Sequence, residues 1–404
     1  MNRSASRSSI ALLALAYLAF ISLGLPDAVH GVAWPSLRGS FNLPQALLGA
    51  LLAVSAAAYF LSGIFAGRLM QGLGIGRLLA GSTALVTVGV LGFSAAPTFV
   101  LFVLAAPIVG FGSGAIDAAL NSYAARNFSP KHMSWLHAAY AAGATTGPAI
   151  MTAVLSGGAS WRAGYAVVGV IQGALALAFV AARKLWEAGP AEQQVVMDAP
   201  GNVGPVPLDE KPVGTFAALR SGRVWLQIVI FCLYTGIEVS AGQWSYTLLI
   251  EDRGFSATAA GTWVAIYWGG LLVGRLVLGF AVERVGQVTL LRVATLGVLL
   301  FSVLFAIPGL KVGAAALPLL SFSLASIFPG LMSETPRRVG AQTAPHAVGF
   351  QVSAATLGVA VVPTIAGLAS ERFGLEAIGW VIAGCALVLA VLHERLVAIA
   401  DRPA

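Results

Sequence analysis

Residues 99–124 read FVLFVLAAPIVGFGSGAIDAALNSYA, an apolar run with one carboxylate, Asp117, set inside it. About 20 apolar residues in a helix cross the hydrocarbon core of a bilayer, so this stretch is long enough to span a membrane. An aspartate at that depth costs roughly 2.5–3.5 kcal/mol on insertion scales, and a chain keeps one there for a site, a proton or a partner. The same helix supplies a setting for it. Gly110 and Gly114 share a face at a spacing of four and allow a close helix contact. Asn121 lies one turn beyond Asp117, within reach of the carboxylate or of a ligand.

The rest of the chain has the same character. It is 58% hydrophobic and 10% charged, with mean hydropathy +0.86, against roughly 25% charged residues in soluble domains. This is the composition of a polytopic membrane protein. The net charge of +7 is spread along the flanks of apolar segments, which points to membrane topology and excludes a nucleic-acid-binding cluster. Cys232 and Cys385 both fall inside apolar runs, so neither a disulfide framework nor a four-thiolate metal site is expected. No phosphate-binding loop or H-E-x-x-H motif occurs, and GFGSGAID lacks the preceding strand that a nucleotide loop needs. No cofactor and no enzymatic activity are expected.

Twelve crossings are predicted, at 10–35, 44–67, 77–96, 99–124, 133–156, 162–182, 224–250, 258–281, 288–307, 313–333, 345–368 and 376–394. The basic start (Arg3, Arg7) and apolar run of the first 30 residues lack a clean A-x-A cleavage site, so that segment is read as a retained helix. Residues 183–222 are polar and rich in Gly and Pro. They divide the chain into an N-terminal bundle (1–182), a linker (183–222) and a C-terminal bundle (223–404). If both termini are cytoplasmic, all of the 23 Lys and Arg except Arg38, Arg162, Arg253, Lys311 and Arg372 lie on that side, as the positive-inside rule asks.

The halves echo one another. Gly67 and Gly74 bracket the turn between spans two and three as Gly279 and Gly286 do between spans eight and nine. Gly143 precedes Pro148 by five in span five, and Gly358 precedes Pro363 by five in span eleven. Asp27 and Trp34 of span one correspond to Glu238 and Trp244 of span seven. The expected fold is therefore all-α, with twelve transmembrane helices in two pseudo-symmetric six-helix bundles, an architecture of secondary transporters.

The loop Gly279, Glu283, Arg284, Gly286 resembles, at every position, the G-x-x-x-D/E-R-x-G signature of the major facilitator superfamily. In the first half Gly67 and Gly74 match, whereas Gln71 and Gly72 stand in place of the charges. More narrowly, GLPDAVHGVAWPSLRGSF, GFGSGAIDAALN, WLHAAYAAGATTGP, YWGGLLVGRLVLGF and the run from Phe328 to Gly367 resemble the fucose permease-like branch, which is similar also to animal sodium-dependent glucose carriers. That resemblance implies a proton-coupling acid on span four, here Asp117, and an acid on span one used in coupling or sugar binding, here Asp27. Span five also carries the G-x-x-x-G-P core of drug:proton antiporters at Gly143, Gly147 and Pro148. Met151 and Thr152 replace the glycines that complete it, and the span-four arginine of those exporters is missing.

Of 16 acidic residues only Asp27, Asp117 and Glu238 lie well inside predicted crossings. Asp117 is the first candidate for proton exchange, its competing reading being a fixed ion pair with Arg275 of span eight. Asp27 follows Gly24 and Pro26, which loosen span one and free backbone groups beside a central cavity; the alternative is a hydrated outer position. Glu238 with Gln243 and Trp244 combines an acid, an amide and an aromatic face, the set a polyhydroxylated solute needs, unless Trp244 belongs to the interfacial belt. His137, the histidine deepest in a predicted crossing, relays protons, contacts hydroxyls or bonds a neighbouring helix. Gln351 has the polarity for a solute contact, and His346 is placed at a helix end. Arg275 must pair when buried and is assigned to gating with Gly279, Glu283, Arg284 and Gly286. The function expected is proton-coupled symport of a sugar or related polar metabolite, with sodium as the alternative ion. Proton-driven export of drugs or amphipathic metabolites is the rival reading. The chain is expected as a monomer in a bacterial inner membrane.

Overall fold

A computed structural model describes residues 3–128, 130–187, 215–309, 313–340 and 343–400, and among these no strand occurs. Span one is two segments, Arg3–Asp27 and Val29–Phe41. Spans two to six are Leu47–Leu73, Ile75–Ala95, Phe99–Asn127, Pro130–Ser156 and Trp161–Glu187. A 3-10 turn, Thr215–Arg220, leads into spans seven to nine, Gly222–Glu251, Ala257–Val285 and Gln287–Ala306. Span ten is again split, into Gly313–Leu324 and Ile327–Val339, before spans eleven (Ala344–Phe373) and twelve (Ala377–Ala400). Most of these helices outrun their predicted limits by several residues. The expected linker 183–222 keeps helix to Glu187 and gains the turn at Thr215–Arg220, while 188–214 lies outside the described residues.

Prolines account for the two split spans. Pro26 has no N–H for the carbonyl four residues back, and that carbonyl, of Ser22, instead accepts a hydrogen bond from the buried Gln172 amide of span six. Span one ends its first segment one residue later, at Asp27. In span ten, Pro329 tolerates the first turn of the second segment, but its ring excludes a helical carbonyl at Ala325, where the break falls.

The packing partners repeat across the halves. Span one lies on five, two on four, three on four and six; six spans later, seven lies on eleven, eight on ten, nine on ten and twelve. Contacts between the halves follow the same pairing, five with eight and eleven with two. The turns into spans three and nine are structural twins: Gly74 and Gly286 sit at φ 74° and 78°, a region that favours glycine. Each donates its N–H to the residue four back, Met70 or Val282, at 3.0 Å.

Eleven spans among the described residues are both long and apolar enough to cross a bilayer. The expected fifth crossing, Pro130–Ser156, has the length without the apolarity. Its glycines are turned to span one, since a Cβ on Gly143 or Gly147 would strike the carbonyls of Ile21 or Leu25. The lipid-facing shell falls to residues such as Leu104, Val170, Leu177 and Val293, all exposed.

Candidate functional site

Glycine contacts set the centre of the first half. A Cβ on Gly110 or Gly114 would run into the carbonyl of Ser55 or Tyr59, so spans two and four lie backbone to backbone. That approach brings the Tyr59 hydroxyl to Asp117, where it donates to Oδ2 at 2.7 Å. Asn121 Nδ2 donates to Oδ1 at 2.9 Å, so both oxygens of the half-buried carboxylate are engaged. The alternative ion pair is not formed. Arg275 instead donates from Nη1 to the His137 carbonyl oxygen at 2.9 Å, with its guanidinium 5.9 Å from the Tyr140 ring centre.

Asp27 closes the first segment of span one. Its Oδ2 accepts from the Tyr140 hydroxyl at 3.1 Å, and its backbone carbonyl accepts from Gln243 Nε2 of span seven at 2.8 Å. It is half-buried between the two halves, which disfavours the hydrated outer position. Gly24, beneath Tyr140, and Gly31, against Gln243, leave no room for a side chain on either flank.

Glu238 is the most enclosed of the three acids, at 7% exposure. The Tyr234 hydroxyl, one turn earlier on the same helix, donates to its carboxylate, and Tyr267 of span eight donates to its backbone carbonyl at 2.7 Å. The three acids therefore share one arrangement, a carboxylate held by a tyrosine hydroxyl, and Arg275 stands between the tyrosines of the two halves. His137 is half-buried, edge-on to Phe20 at 5.6 Å. It is less enclosed than His30, which bonds Tyr165 Oη at 2.7 Å, or His393.

Two expected solute contacts are differently placed. Trp244 is fully buried, with its indole N–H donated to Pro363 O at 3.0 Å. Six residues beyond Glu238, it is turned about 120° round the helix, onto span eleven and away from both the acid and the interfacial belt. Gln351 is also fully buried; its amide donates to Gln227 at 2.7 Å and Thr335 at 2.9 Å, joining spans seven, ten and eleven. Gln243 is nearly enclosed, though its Oε1 lacks a partner.

The expected gating set separates into two. Glu283 and Arg284 are exposed at the turn before Gly286, and Gly279 lies in the same helix. Arg275 is eight residues deeper, about 12 Å along the axis, where it bonds the His137 carbonyl of span five and the Tyr234 side chain of span seven. At the opposite end of the bundle the halves are clamped by residues that charge patterning had left aside. Arg38 Nη2 bonds both oxygens of Glu251 at 3.0 Å, Gln45 Nε2 donates to Glu251 at 3.0 Å, and Ala46 N donates to Glu371 at 2.8 Å. Of the other basic residues of that end, Arg253 pairs with Glu376 at 2.5 Å, Arg162 donates to Ala96 O at 3.0 Å, and Arg372 lies 5.8 Å from the Phe373 ring centre. Lys311 lies outside the described residues.

Known proteins share this architecture. The profile of the family described as Major Facilitator Superfamily matches residues 16–351. The chain is 25% identical over 278 residues to Bypass of stop codon protein 6 of Saccharomyces cerevisiae, an alignment covering 66% of this chain and 56% of that protein. It is 25% identical over 164 residues to an uncharacterised MFS-type transporter of Yersinia enterocolitica, covering 41% and 42%. The chain thus spans about half the length of the curated relatives it matches. Among solved structures, the nucleoside transporter NupG superposes with TM-score 0.71 at 16% identity over 100% of both chains. The MFS transporter FucP in the outward conformation gives TM-score 0.62 at 18% identity, covering 96% of this chain and 99% of that one. These similarities establish a common fold.

Proposed function

We propose that this chain, which belongs to the Major Facilitator Superfamily, is a secondary carrier that moves a small uncharged polar solute, a sugar or related metabolite, in symport with protons. The observation that carries the reading is the trio of tyrosine-held carboxylates Asp27, Asp117 and Glu238 around one guanidinium, Arg275. Three acids against one base leave two uncompensated negative charges when all are ionised. Charge of one sign in a low-dielectric cavity is costly, and uptake of protons relieves it. The same excess repels organic anions, while hydroxyl-rich neutral solutes find acceptors on the carboxylates and on Asn121, Gln243 and His137.

In this reading Asp117 and Asp27 exchange the proton, and Glu238, Asn121, Gln243, His137 and Asp27 contact solute. Trp244 and Gln351 hold the second half together. The bundles 1–182 and 223–404 rock about the site. The Arg38–Glu251 clamp closes the outer end, and the turns at Gly74 and Gly279–Gly286 gate the inner one. Both termini are cytoplasmic in a plasma membrane, and the monomer is the working unit. The FucP match is to the E. coli fucose:proton symporter, which agrees with a sugar and a proton.

Carboxylates beside tyrosine rings also suit an organic cation exchanged for protons, the export reading. A thermal-shift screen of the purified protein against sugars, organic acids and organic cations separates the two, because a ligand of the folded state raises Tm by mass action. Stabilisation by neutral polyols is expected. Stabilisation by organic cations alone would favour export, and stabilisation by organic acids alone would overturn the charge argument.

A further inference from the structure

Tyr140 of span five touches both halves of the bundle. Its hydroxyl donates to Asp27 Oδ2 of span one at 3.1 Å, and its ring centre lies 5.9 Å from the guanidinium carbon of Arg275 in span eight. Each end of that link is fixed within its own half. A Cβ on Gly24 would strike the Tyr140 carbonyl, and one on Gly143 the Ile21 carbonyl, so spans one and five lie backbone to backbone and hold Tyr140 beside Asp27. On the other side, a Cβ on Gly274 would meet Ala325 and the Phe322 carbonyl, which sets span eight, and Arg275 with it, against span ten. Arg275 meets span five at the Tyr140 ring and at the His137 carbonyl, 2.9 Å away, and this contact crosses the boundary between the halves.

Arg275 has a second seat. It bonds the Tyr234 side chain, whose hydroxyl holds Glu238, so the guanidinium is shared between a first-half and a second-half tyrosine. The other titratable groups facing this link are Asp117 of span four, Tyr59 of span two, His137 of span five, Glu238 of span seven and Tyr267 of span eight. Asp117 and Glu238 have tyrosines of their own, Tyr59 and Tyr234, each in the same half as its acid. Of the three acid-bound tyrosines, Tyr140 is the one that carries a first-half carboxylate on its hydroxyl and a second-half cation on its ring.

We propose that Tyr140 is the positioning residue through which the charge state of Asp27 decides which half holds Arg275. The inference rests on the reading of Asp27 as a proton-exchanging acid. With Asp27 ionised, a charge-assisted bond fixes the Tyr140 hydroxyl, and the ring turns its face to a guanidinium that the nearby carboxylate also attracts. A proton arriving on Oδ1, the oxygen that Tyr140 does not hold, cancels that charge and leaves Tyr140 a weaker, neutral bond. Arg275 then keeps Tyr234 and Glu238 in its own half and gives up span five, which frees the halves to separate.

The test needs no solute, because the probe is the proton. The full chain in neutral detergent carries spin labels at Pro97 and Phe373, exposed in opposite halves, with Cys232 and Cys385 replaced. Electron–electron resonance gives its closed-to-open ratio at about pH 8 and about pH 5. The wild-type ratio is expected to fall about tenfold on acidification, the strength of one bond to a charged group. Tyr140→Phe keeps the ring and loses the hydroxyl, and its ratio is expected to be the same at both pH values, as is that of Asp27→Asn. Arg275→Lys keeps the charge without the planar fork that reaches His137 and Tyr234 together; it too is expected to be flat, and the Tm of each variant reports that it folds. A Y140F ratio offset from wild type yet still moving about tenfold with pH marks Tyr140 as structural only and overturns the proposal. A responsive R275K or a wild-type ratio that ignores pH does the same. A flat D27N beside a responsive Y140F strikes the role of Tyr140 alone, whereas D27N as responsive as wild type removes the proton reading of Asp27 beneath it.

Discussion

Replacing Glu251 by Gln should open the end of the bundle that Arg38 now closes. The carboxylate takes two bonds from Arg38 Nη2 at 3.0 Å and one from Gln45 Nε2 at 3.0 Å. The side chains are 30% and 24% exposed, so water screens the pair, and an exposed ion pair alone contributes about 0.2–1 kcal/mol. Adding the Gln45 bond, the clamp biases the closed arrangement by about 1–2 kcal/mol. E251Q should therefore shift the closed-to-open ratio about 5- to 30-fold. Spin labels at Pro97 and Phe373, exposed in opposite halves, report it as a longer-distance population in electron–electron resonance, with Cys232 and Cys385 replaced. Because the contact is screened, raising salt should move wild type in the same direction and E251Q hardly at all. The double variant R38Q/E251Q should match E251Q, since the two residues act through one contact. An E251Q distribution equal to wild type at both salt concentrations refutes the clamp.

Three further outcomes follow from packing and charge. Gly114→Ala forces a Cβ into the Tyr59 carbonyl and should lower stability by about 1–3 kcal/mol, read as a fall in Tm with loss of the Tyr59–Asp117 bond. Gln351→Leu removes the two buried bonds from Gln351 to Gln227 and Thr335 at a cost of about 1–3 kcal/mol, while KM for the transported solute stays unchanged. A large KM change with unaltered Tm would return Gln351 to the solute site. Asp252, in the turn after span seven, has its pKa raised by desolvation and by the nearby Glu376 charge. A raised carboxylate opposes folding once ionised, so that penalty is absent below its unfolded pKa and complete above its folded one. Asp252→Asn should accordingly raise Tm slightly at pH 7 and leave it unchanged at acid pH.

The crossings were legible because apolar runs of membrane length have few other uses, and the glycine pairs at Gly67–Gly74 and Gly279–Gly286 marked turns that the structure makes alike. Span five was legible only by its place in the series, since glycines packed on span one and polar residues lower its hydropathy. The break in span one was signalled by Pro26. That in span ten was signalled by Pro329, whose effect four residues upstream is readable in retrospect. Asn121 beside Asp117 followed from the one-turn rule, and the same rule applied to Glu238 would have found Tyr234. Tyr59 carries no such mark; it reaches Asp117 because distant glycines let two backbones touch. Trp244 and Gln351 looked like solute contacts by chemistry alone, and helix rotation and a three-way polar contact turned them inward. Arg38 was visible as an exception to the charge bias, and its partner lay at the other half's matching helix end.

The central claim, that Asp117 is the proton-exchanging carboxylate of a symporter, is tested most directly by D117N reconstituted in vesicles. Amide replaces acid at nearly constant shape, so the Tyr59 and Asn121 neighbours keep a partner while the titrating group is gone. The account predicts loss of solute accumulation driven by a pH gradient together with retained counterflow exchange. Accumulation at the wild-type level under the same gradient would contradict it.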